Sequence, residues 1–356
     1  MIRLGTRGSA LARAQSEWVA QRIRDANPGL VVDLVIVRTA ADRAPQLPLS
    51  AIGDKGLWVT DLEQMLVSND IDLAVHSMKD LPSVLAPGLC IGAVPQRELP
   101  LDALALPSPG PALDPRLAEP TSVESPDGCE RFRKALDALL PFGARVGTSS
   151  RRRASQLLRW RPDLQILPVR GNVDTRLRKL DGGDWDALVL AAAGLRRLGL
   201  SARISLLFPS VFMTPAAGQG ALALEIREAD QQMFDALQTI HDGPTAAAVA
   251  VERSFVRTVD GGCSVPLGVY ASVSSGQIHF RVLAMESPAP DGTPTTPLEN
   301  SGEETVGCFE EAETIAVPAG PDPFTDLEWA VTMGKVAGER FLIRGGADFV
   351  ARLKGA

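Results

Sequence analysis

Histidine and cysteine, the side chains that most often hold metals and redox centres, are scarce in this chain of 356 residues. No two cysteines form a C-x-x-C pair, so zinc ribbons and thioredoxin-like motifs are excluded. The histidines are equally scattered, and we expect no metal centre. The residues concerned are His76, His241, His279, Cys90, Cys129, Cys263 and Cys308.

Long apolar runs are also missing. The N-terminal stretch MIRLGTRGSALARAQ has no apolar core of a signal peptide, and no later run approaches the roughly 18 residues that span a bilayer. We therefore expect a cytoplasmic protein without a membrane partner. Neither G-x-x-x-x-G-K-[ST] nor a G-x-G-x-x-G that follows a strand occurs, which disfavours nucleotide chemistry.

Lysine is rare as well, since only six of the 36 basic residues are lysines and the rest are arginines. A GC-rich genome alone would favour arginine, but the arginines are also unevenly placed. Residues 145–180 hold ten basic side chains against two acidic ones, although the net charge of the chain is −7. Because planar guanidinium groups bind carboxylates bidentately, this cluster predicts a ligand with several carboxylates or phosphates.

The order of strand and helix patterns predicts two α/β units followed by a small α+β domain. The first unit runs through the strands IRLGT, VVDLVIV, IDLAVHS and LCIGAV, and we expect ALALEIRE to return to its sheet. A βαβαβ pattern from ARVGTS to DALVLAAAG forms the second. In the small domain, a polar hairpin region separates the strands near PLGVYASV and QIHFRVLAM from the C-terminal helix near LEWAVTMGKVAGERFL. The predicted domains are residues 1–103 plus 220–240, a crossover with an insertion at 104–142, residues 143–214, and residues 243–356.

The two units open alike, with LGTRGSALARAQ in the first and VGTSSRRRASQ in the second. Each stretch leads from a strand through Gly-Thr into a helix, with Ser9 as the predicted N-cap of the first helix. Such turns aim backbone N–H groups at the C-terminal edge of a sheet, where anions bind. Two facing units therefore predict an anion-binding cleft.

Two further stretches are candidates for chemistry. In AVHSMKDLP, Lys79 and Asp80 follow a strand. They are either ligand-binding groups at the end of the strand or ordinary solvated charges where the strand passes into a loop. In VDGGCSVPLG, Cys263 follows two glycines that leave its sulfur approachable. It is a nucleophile, a redox thiol, a covalent anchor or a small buried hydrophobe, and no histidine stands in a turn that suits it as a base.

Taken together, the chain resembles the porphobilinogen deaminase family, whose members are also called hydroxymethylbilane synthases. The motifs that carry the resemblance are GDKGLWVTDLE, DLAVHSMKDLP, VGTSSRRRASQL, RGNVDTRLRKLD, AAAGLRRLG, PAAGQGALALE and ERSFVRTVDGGCSVPLG. The resemblance implies two periplasmic-binding-protein-like α/β domains that face each other across a cleft, plus a small C-terminal α+β domain. It implies an enzyme that joins four porphobilinogen molecules head to tail, releases ammonia and hydrolyses off hydroxymethylbilane.

The resemblance also implies a primer, a dipyrromethane cofactor joined to Cys263 through a thioether. It makes Asp80 the catalytic residue, and the enzyme a monomer that works on small molecules without a nucleic acid. It assigns the remaining residues to cofactor and substrate binding: Arg7, Ser9, Gln15, Lys55, Lys79, Thr148, Ser149, Ser150, Arg152, Arg153, Arg170, Arg176, Arg197 and Gln219.

The chain departs from the family pattern at Ala41, Leu99, Leu101 and Arg151. Two other functions stay open on the residues alone. A noncatalytic carboxylate-binding protein would have the same two facing units and would need neither Cys263 nor Asp80. A nucleic-acid binder would use the arginine-rich unit, against which the acidic net charge argues.

Overall fold

The structure is a computed structural model that describes residues 1–37, 59–110, 126–261, 265–285, 308–320 and 323–355. Within these residues the strands form two five-stranded sheets and one three-stranded sheet. The predicted class, two α/β units and a small α+β domain, is confirmed. The predicted insertion lies partly outside the described residues.

The first sheet has the spatial order β2-β1-β3-β10-β4. Its strands are β1 (Ile2–Arg7), β2 (Val32–Val37), β3 (Leu73–Ser77), β4 (Leu89–Ala93) and β10 (Leu222–Arg227). The first three are parallel, and β10 runs antiparallel between β3 and β4. The prediction that ALALEIRE returns to this sheet is therefore confirmed. Three helices belong to the unit: α1 (Ala10–Ala26), α2 (Thr60–Val67) and α7 (Gln231–Gln238).

The second sheet repeats this arrangement in the order β7-β6-β8-β5-β9. Its strands are β5 (Asp102–Ala105), β6 (Arg145–Gly147), β7 (Gln165–Leu167), β8 (Ala187–Ala191) and β9 (Leu206–Phe208). Here β5 is the antiparallel strand, between β8 and β9. Its helices are α3 (Pro126–Leu139), α4 (Arg151–Trp160), α5 (Val173–Asp181) and α6 (Ala192–Arg197).

The predicted division at residue 103 passes through β5, since the chain has entered the second sheet by Asp102. The crossover region also contains α3, whose Phe132 lies fully buried in the core of the second unit. Each sheet thus receives its antiparallel strand from a segment that has just crossed from the other sheet. These two crossing segments touch, because Glu98 N–H donates to the Gly220 carbonyl oxygen at 3.1 Å.

The C-terminal domain packs two helices on an antiparallel meander. The meander consists of β11 (Leu267–Ser274), β12 (Gln277–Met285) and β13 (Cys308–Ala316), and the helices are α8 (Gly243–Thr258) and α9 (Glu328–Phe341). A π-helical kink and α10 (Ala347–Gly355) follow. The helices α8 and α9 approach closely at Gly334, where a Cβ atom would lie 2.2 Å from the Val251 carbonyl oxygen. The sequence predicted a polar hairpin region before α9 but not the strand β13.

Candidate active site

Both predicted Gly-Thr turns end in serine N-caps. Ser9 Oγ accepts from Ala12 N–H at 3.3 Å at the start of α1, and Ser150 Oγ accepts from Arg153 N–H at 3.4 Å at the start of α4. Each cap satisfies one of the N–H groups that the first helical turn leaves free. The remaining N–H groups and the helix dipole favour an anion at each of the two turns.

The neutral site residues of these turns brace the strands beside them. Gln15 Nε2 donates to Ser77 Oγ at 2.9 Å, which joins α1 to the end of β3. Ser149 Oγ donates to the Val169 carbonyl oxygen and accepts from its N–H group, both at 2.7 Å. Thr148 is buried, and its Oγ1 accepts from Ser150 N–H at 3.2 Å. These four side chains hold the turns in shape.

Lys79 and Asp80 lie directly beyond β3, in the 3-10 turn Met78–Asp80. Met78 is buried beneath the turn, Lys79 is half-buried, and Asp80 is exposed. Among the described residues, none donates a hydrogen bond to the Asp80 carboxylate or accepts one from the Lys79 ammonium. Both charged groups are therefore available to a ligand.

The second unit places arginines opposite this turn. Burial lowers the pKa of Arg176, the charge of Arg153 lowers it further, and the negative charge of Asp80 opposes both. Burial likewise lowers the pKa of Lys79, and Asp80 opposes that shift while Arg153 adds to it. The Asp80 turn of the first unit and these arginines of the second therefore lie close enough for their charges to interact.

Arg152 and Arg153 point into the protein, where they pair with a residue that the sequence analysis did not single out. Arg152 Nη1 donates to Asp102 Oδ2 at 2.7 Å, and Arg153 Nε donates to Asp102 Oδ1 at 2.8 Å. Gln219 Nε2 also donates to Asp102 Oδ1, at 3.0 Å. We call these four residues, all less than a tenth exposed, the Asp102 cluster.

The Asp102 cluster is a compensated buried charge. Burial opposes ionisation of Asp102, but the charges of Arg152 and Arg153 outweigh burial and hold the pKa of Asp102 well below its usual range. Gln219 also donates from Nε2 to the Pro100 carbonyl oxygen at 2.7 Å, which ties the cluster to the crossing segments. The cluster thus fixes the start of α4 to the junction between the two units.

We expect Asp102→Asn to lower the free energy of unfolding by about 3–5 kcal/mol, because it leaves two buried arginines without their carboxylate. The control is Asp186→Asn, whose carboxylate pairs with Arg145 at 2.9 Å with both side chains about two-fifths exposed. That exposed pair contributes about 0–1 kcal/mol. Urea titrations of both variants measure the difference, and equal losses would contradict the assignment.

The pH dependence of this difference has a defined sign. Because folding lowers the pKa of Asp102, its stabilisation is complete above the unfolded-state pKa of about 3.9. It is lost as the pH falls through the folded-state pKa. The gap between wild type and Asp102→Asn is therefore constant near neutral pH and narrows in acid.

The other predicted arginines differ in how many of their N–H groups donate hydrogen bonds to other parts of the protein. Arg197 Nη2 donates to the Gly220 carbonyl oxygen at 2.7 Å, and burial lowers the pKa of Arg197 to about 10 against the charge of Glu98. Arg176 Nε donates to the Gly171 carbonyl oxygen at 2.7 Å. Arg170 is exposed and has no hydrogen bond or ion pair to a described residue. Arg7 is half-buried at the end of β1.

Cys263 and Lys55 lie outside the described residues, as does Ala41. Two of the other departures have a structural reason: Leu101 is buried in the core of the second unit, and Leu99 packs against that core. Arg151 is exposed at the first position of α4.

Within the described residues no helix is long and apolar enough to cross a membrane, and no group of metal-binding side chains is assembled.

The sequence analysis also missed a buried pair behind the cleft. Arg97 Nη1 and Nη2 donate to the two carboxylate oxygens of Glu252 at 2.7 and 3.1 Å. Glu252 also accepts from the N–H groups of Gly218 and Ala271, at 2.6 and 2.7 Å. One carboxylate thus joins both crossing segments to the C-terminal domain. The signal was a lone glutamate in the apolar helix AAAVAVERSF, which predicts a buried, paired charge.

Comparisons with known proteins place two family models on the chain. The model "Porphobilinogen deaminase, dipyromethane cofactor binding domain" matches residues 2–235, and the model "Porphobilinogen deaminase, C-terminal domain" matches residues 246–314. Together these matches cover both α/β units and much of the C-terminal domain.

Curated relatives agree with the family models. Porphobilinogen deaminase of Syntrophotalea carbinolica is 44% identical over 320 residues, which cover 88% of this chain and 92% of the relative. Porphobilinogen deaminase of Syntrophus aciditrophicus is 41% identical over 353 residues, 99% of each chain. Among solved structures, the periplasmic aliphatic sulphonate binding protein SsuA from Escherichia coli matches 74% of this chain and 71% of its own, with 13% identity and a TM-score of 0.36.

Proposed function

Because this chain belongs to the porphobilinogen deaminase family, we propose that it joins four porphobilinogen molecules head to tail, releases ammonia at each addition, and hydrolyses off hydroxymethylbilane. The growing chain is built on a dipyrromethane cofactor. The observation that carries the proposal is the turn at the end of β3, where Lys79 and Asp80 have no hydrogen-bond partner among the described residues and interact electrostatically with arginines of the second unit.

The donor groups of the cleft fit a dipyrromethane with acetate and propionate arms. Lys79 and Arg170 have no hydrogen-bond partner among the described residues, and Arg176 uses Nε alone. Guanidinium and ammonium groups that the protein leaves unused are suited to bind carboxylates. When bound, the cofactor supplies a nucleophilic pyrrole carbon to which porphobilinogen is added. We propose Cys263 as its attachment site.

Asp80 is proposed as the catalytic residue. The departure of ammonia from porphobilinogen leaves a cation that is conjugated with the pyrrole N–H group. A carboxylate near that N–H accepts its hydrogen bond and stabilises the positive charge as it forms. The exposed Asp80 carboxylate, to which no described residue donates, is free to do so.

The basic residues have the complementary role of holding a polyanion. We propose that Lys79, Arg170, Arg176 and Arg197 bind carboxylate arms, as do Arg7 and Lys55. Arg152, Arg153 and Gln219 are proposed to contribute through the Asp102 cluster, which sets the start of α4. The serine and threonine of its turn, with Ser9 and Gln15, would add neutral donors.

We also propose that the enzyme is a cytoplasmic monomer that acts on free small molecules without a nucleic acid or a membrane. The net charge of −7 disfavours nucleic acid as a partner.

The test is to incubate the purified protein with porphobilinogen and to measure ammonia and hydroxymethylbilane together. We expect one ammonia for each porphobilinogen consumed, with hydroxymethylbilane as the released product. Saturable binding of porphobilinogen without release of ammonia would instead identify a noncatalytic carboxylate-binding protein.

A further inference from the structure

A half-buried arginine of the C-terminal domain holds the chain directly after the Asp80 turn. Arg253, on α8, donates from Nη1 to the Leu81 carbonyl oxygen at 3.1 Å and from Nη2 to the Pro82 carbonyl oxygen at 2.6 Å. These carbonyls belong to the first two residues beyond Asp80. Both ends of the guanidinium fork are thus occupied by one short stretch of backbone.

Arg253 is a costly residue to keep at this place. Burial lowers the pKa of Arg253 to about 10, the charge of Arg257 lowers it further, and Glu225 opposes both. No carboxylate among the described residues lies within ion-pair distance of it. A partly desolvated cation that is held by neutral carbonyls stabilises a fold less than one that is paired with a carboxylate. The contribution of Arg253 is therefore the geometry that it imposes on the turn.

Glu225, whose negative charge acts on Arg253, lies on β10 beside the strand that leads into the turn. Its Oε2 lies 2.9 Å from His76 Nε2, both side chains are buried, and its Oε1 has no hydrogen-bond partner in the part of the chain that the structure describes. His76 is the penultimate residue of β3, four positions before Asp80. The buried negative charge that partly offsets Arg253 is therefore anchored at the start of the same turn.

The opposite side of the turn is held from the neighbouring residue of α8. Glu252 accepts from Gly218 N–H at 2.6 Å. Gly218 has a φ of 70° and packs so closely that a Cβ there would lie 2.6 Å from Met78 Cγ and 3.1 Å from Lys79 N. Met78 N–H also donates to the Ala221 carbonyl oxygen at 3.0 Å. Two successive residues of α8 thus hold the turn from two sides.

We propose that Arg253 is a positioning residue that fixes the Asp80 carboxylate in the cleft, because its guanidinium group, on α8, holds the two carbonyls that directly follow Asp80. The inference rests on the proposed role of Asp80. The helix ends at Thr258, five residues before Cys263. The helix that holds the Asp80 turn is therefore also close, along the chain, to the proposed attachment site.

The experiment uses the full-length holoenzyme with Arg253→Lys and Arg253→Gln. We expect kcat to fall by about 10- to 100-fold with KM unchanged, because a small misplacement of a catalytic group costs rate rather than binding. The Lys variant keeps the charge but cannot bridge two carbonyls, and we expect it to fold and still to lose kcat. Intact mass confirms that each variant carries its two pyrrole units.

The matched control is Arg257→Gln, one turn further along α8 and exposed. It should leave kcat and KM unchanged. Wild-type kcat in Arg253→Lys, or a loss that falls on KM alone, would overturn the inference, and Arg253→Lys decides the matter even if Arg253→Gln does not fold. Asp80→Asn is measured in parallel: if it lowers kcat while the Arg253 variants do not, only the positioning role fails. If Asp80→Asn is fully active, the proposed role of Asp80 fails.

Discussion

Cys263→Ala is expected to purify with the mass of the bare chain and to form no hydroxymethylbilane, whereas the wild-type protein is heavier by two linked pyrrole units. A thiolate attacks an electrophilic carbon and forms a thioether that persists through turnover. Alanine has no atom that could form this bond. The primer would then be lost, and chain growth would have no fixed starting point. Intact-mass spectrometry and Ehrlich's reagent, which colours bound pyrroles, measure the first effect.

Two other cysteines serve as controls for this experiment. Cys90 on β4 and Cys129 on α3 are both partly buried and lie in the two α/β units. Burial raises the pKa of the Cys90 thiol, which makes it a poorer nucleophile. Cys90→Ala and Cys129→Ala should keep the added mass and form product. Retention of both pyrroles in Cys263→Ala would assign the attachment to another residue.

Local patterns were sufficient to predict most elements of the α/β units, because each buries one apolar face with a regular period. The strand IDLAVHS and the helix of residues 10–26 are examples. Local patterns do not determine which sheet a strand joins. The run LPLDALAL contains β5, which the sequence analysis did not predict. The place of this strand in the second sheet depends on the crossing of the chain between units, which no local period encodes.

In the C-terminal meander, the strand β13 itself was not predicted from the sequence. β13 reads CFEEAETIA, in which the half-buried Glu311 and Glu313 alternate with exposed positions. These two glutamates pair with arginines of α9 and of the segment beyond it, since Arg340 contacts both and Arg344 contacts Glu311. A strand whose charged residues have helical partners has a weak apolar period, and the sequence therefore indicated only a polar region.

The same limit applies to the arginines of the cleft. Their number and position predicted a polyanionic ligand, but the pattern could not separate arginines that the protein occupies from those that it leaves open. Arg152 and Arg153 have an internal carboxylate about fifty residues earlier in the chain, whereas Arg170 has no partner among the described residues. The one sequence signal was Asp102 itself, a lone acid in an apolar strand, which predicts a buried and paired carboxylate.

This separation has a chemical consequence. Internally paired arginines are fixed before a ligand arrives, so they cost no reordering when it binds and can set the shape of the site. Open cations can follow carboxylate arms as the chain grows from one pyrrole to the next. The Asp102 cluster and the Arg253 contacts therefore fix the shape of the cleft. Lys79, Arg170 and Arg176 are proposed to bind the carboxylate arms of the ligand.

Asp80→Asn tests the proposed catalytic residue itself, which the fixed residues position and beside which the open cations bind the ligand. We expect kcat to fall by about 10²–10⁴-fold, the range that positioned acid–base groups contribute. The amide keeps the shape of the side chain but carries no charge to stabilise the cation left when ammonia departs. A unit charge pair about 4 Å apart at an effective dielectric of about 20 is worth about 4 kcal/mol, which corresponds to roughly 10³-fold in rate.

The measurement is single-turnover ammonia release by enzyme whose intact mass shows the bound pyrroles, so that loss of chemistry is separated from loss of primer. Asp25→Asn, on the exposed face of α1, removes an equal charge far from the turn and should leave the rate unchanged. The exposed position of Asp80 also predicts that its variant unfolds at the wild-type urea concentration. If Asp80→Asn enzyme that carries its bound pyrroles released ammonia at the wild-type rate, the stabilising charge would have to come from another group in the cleft.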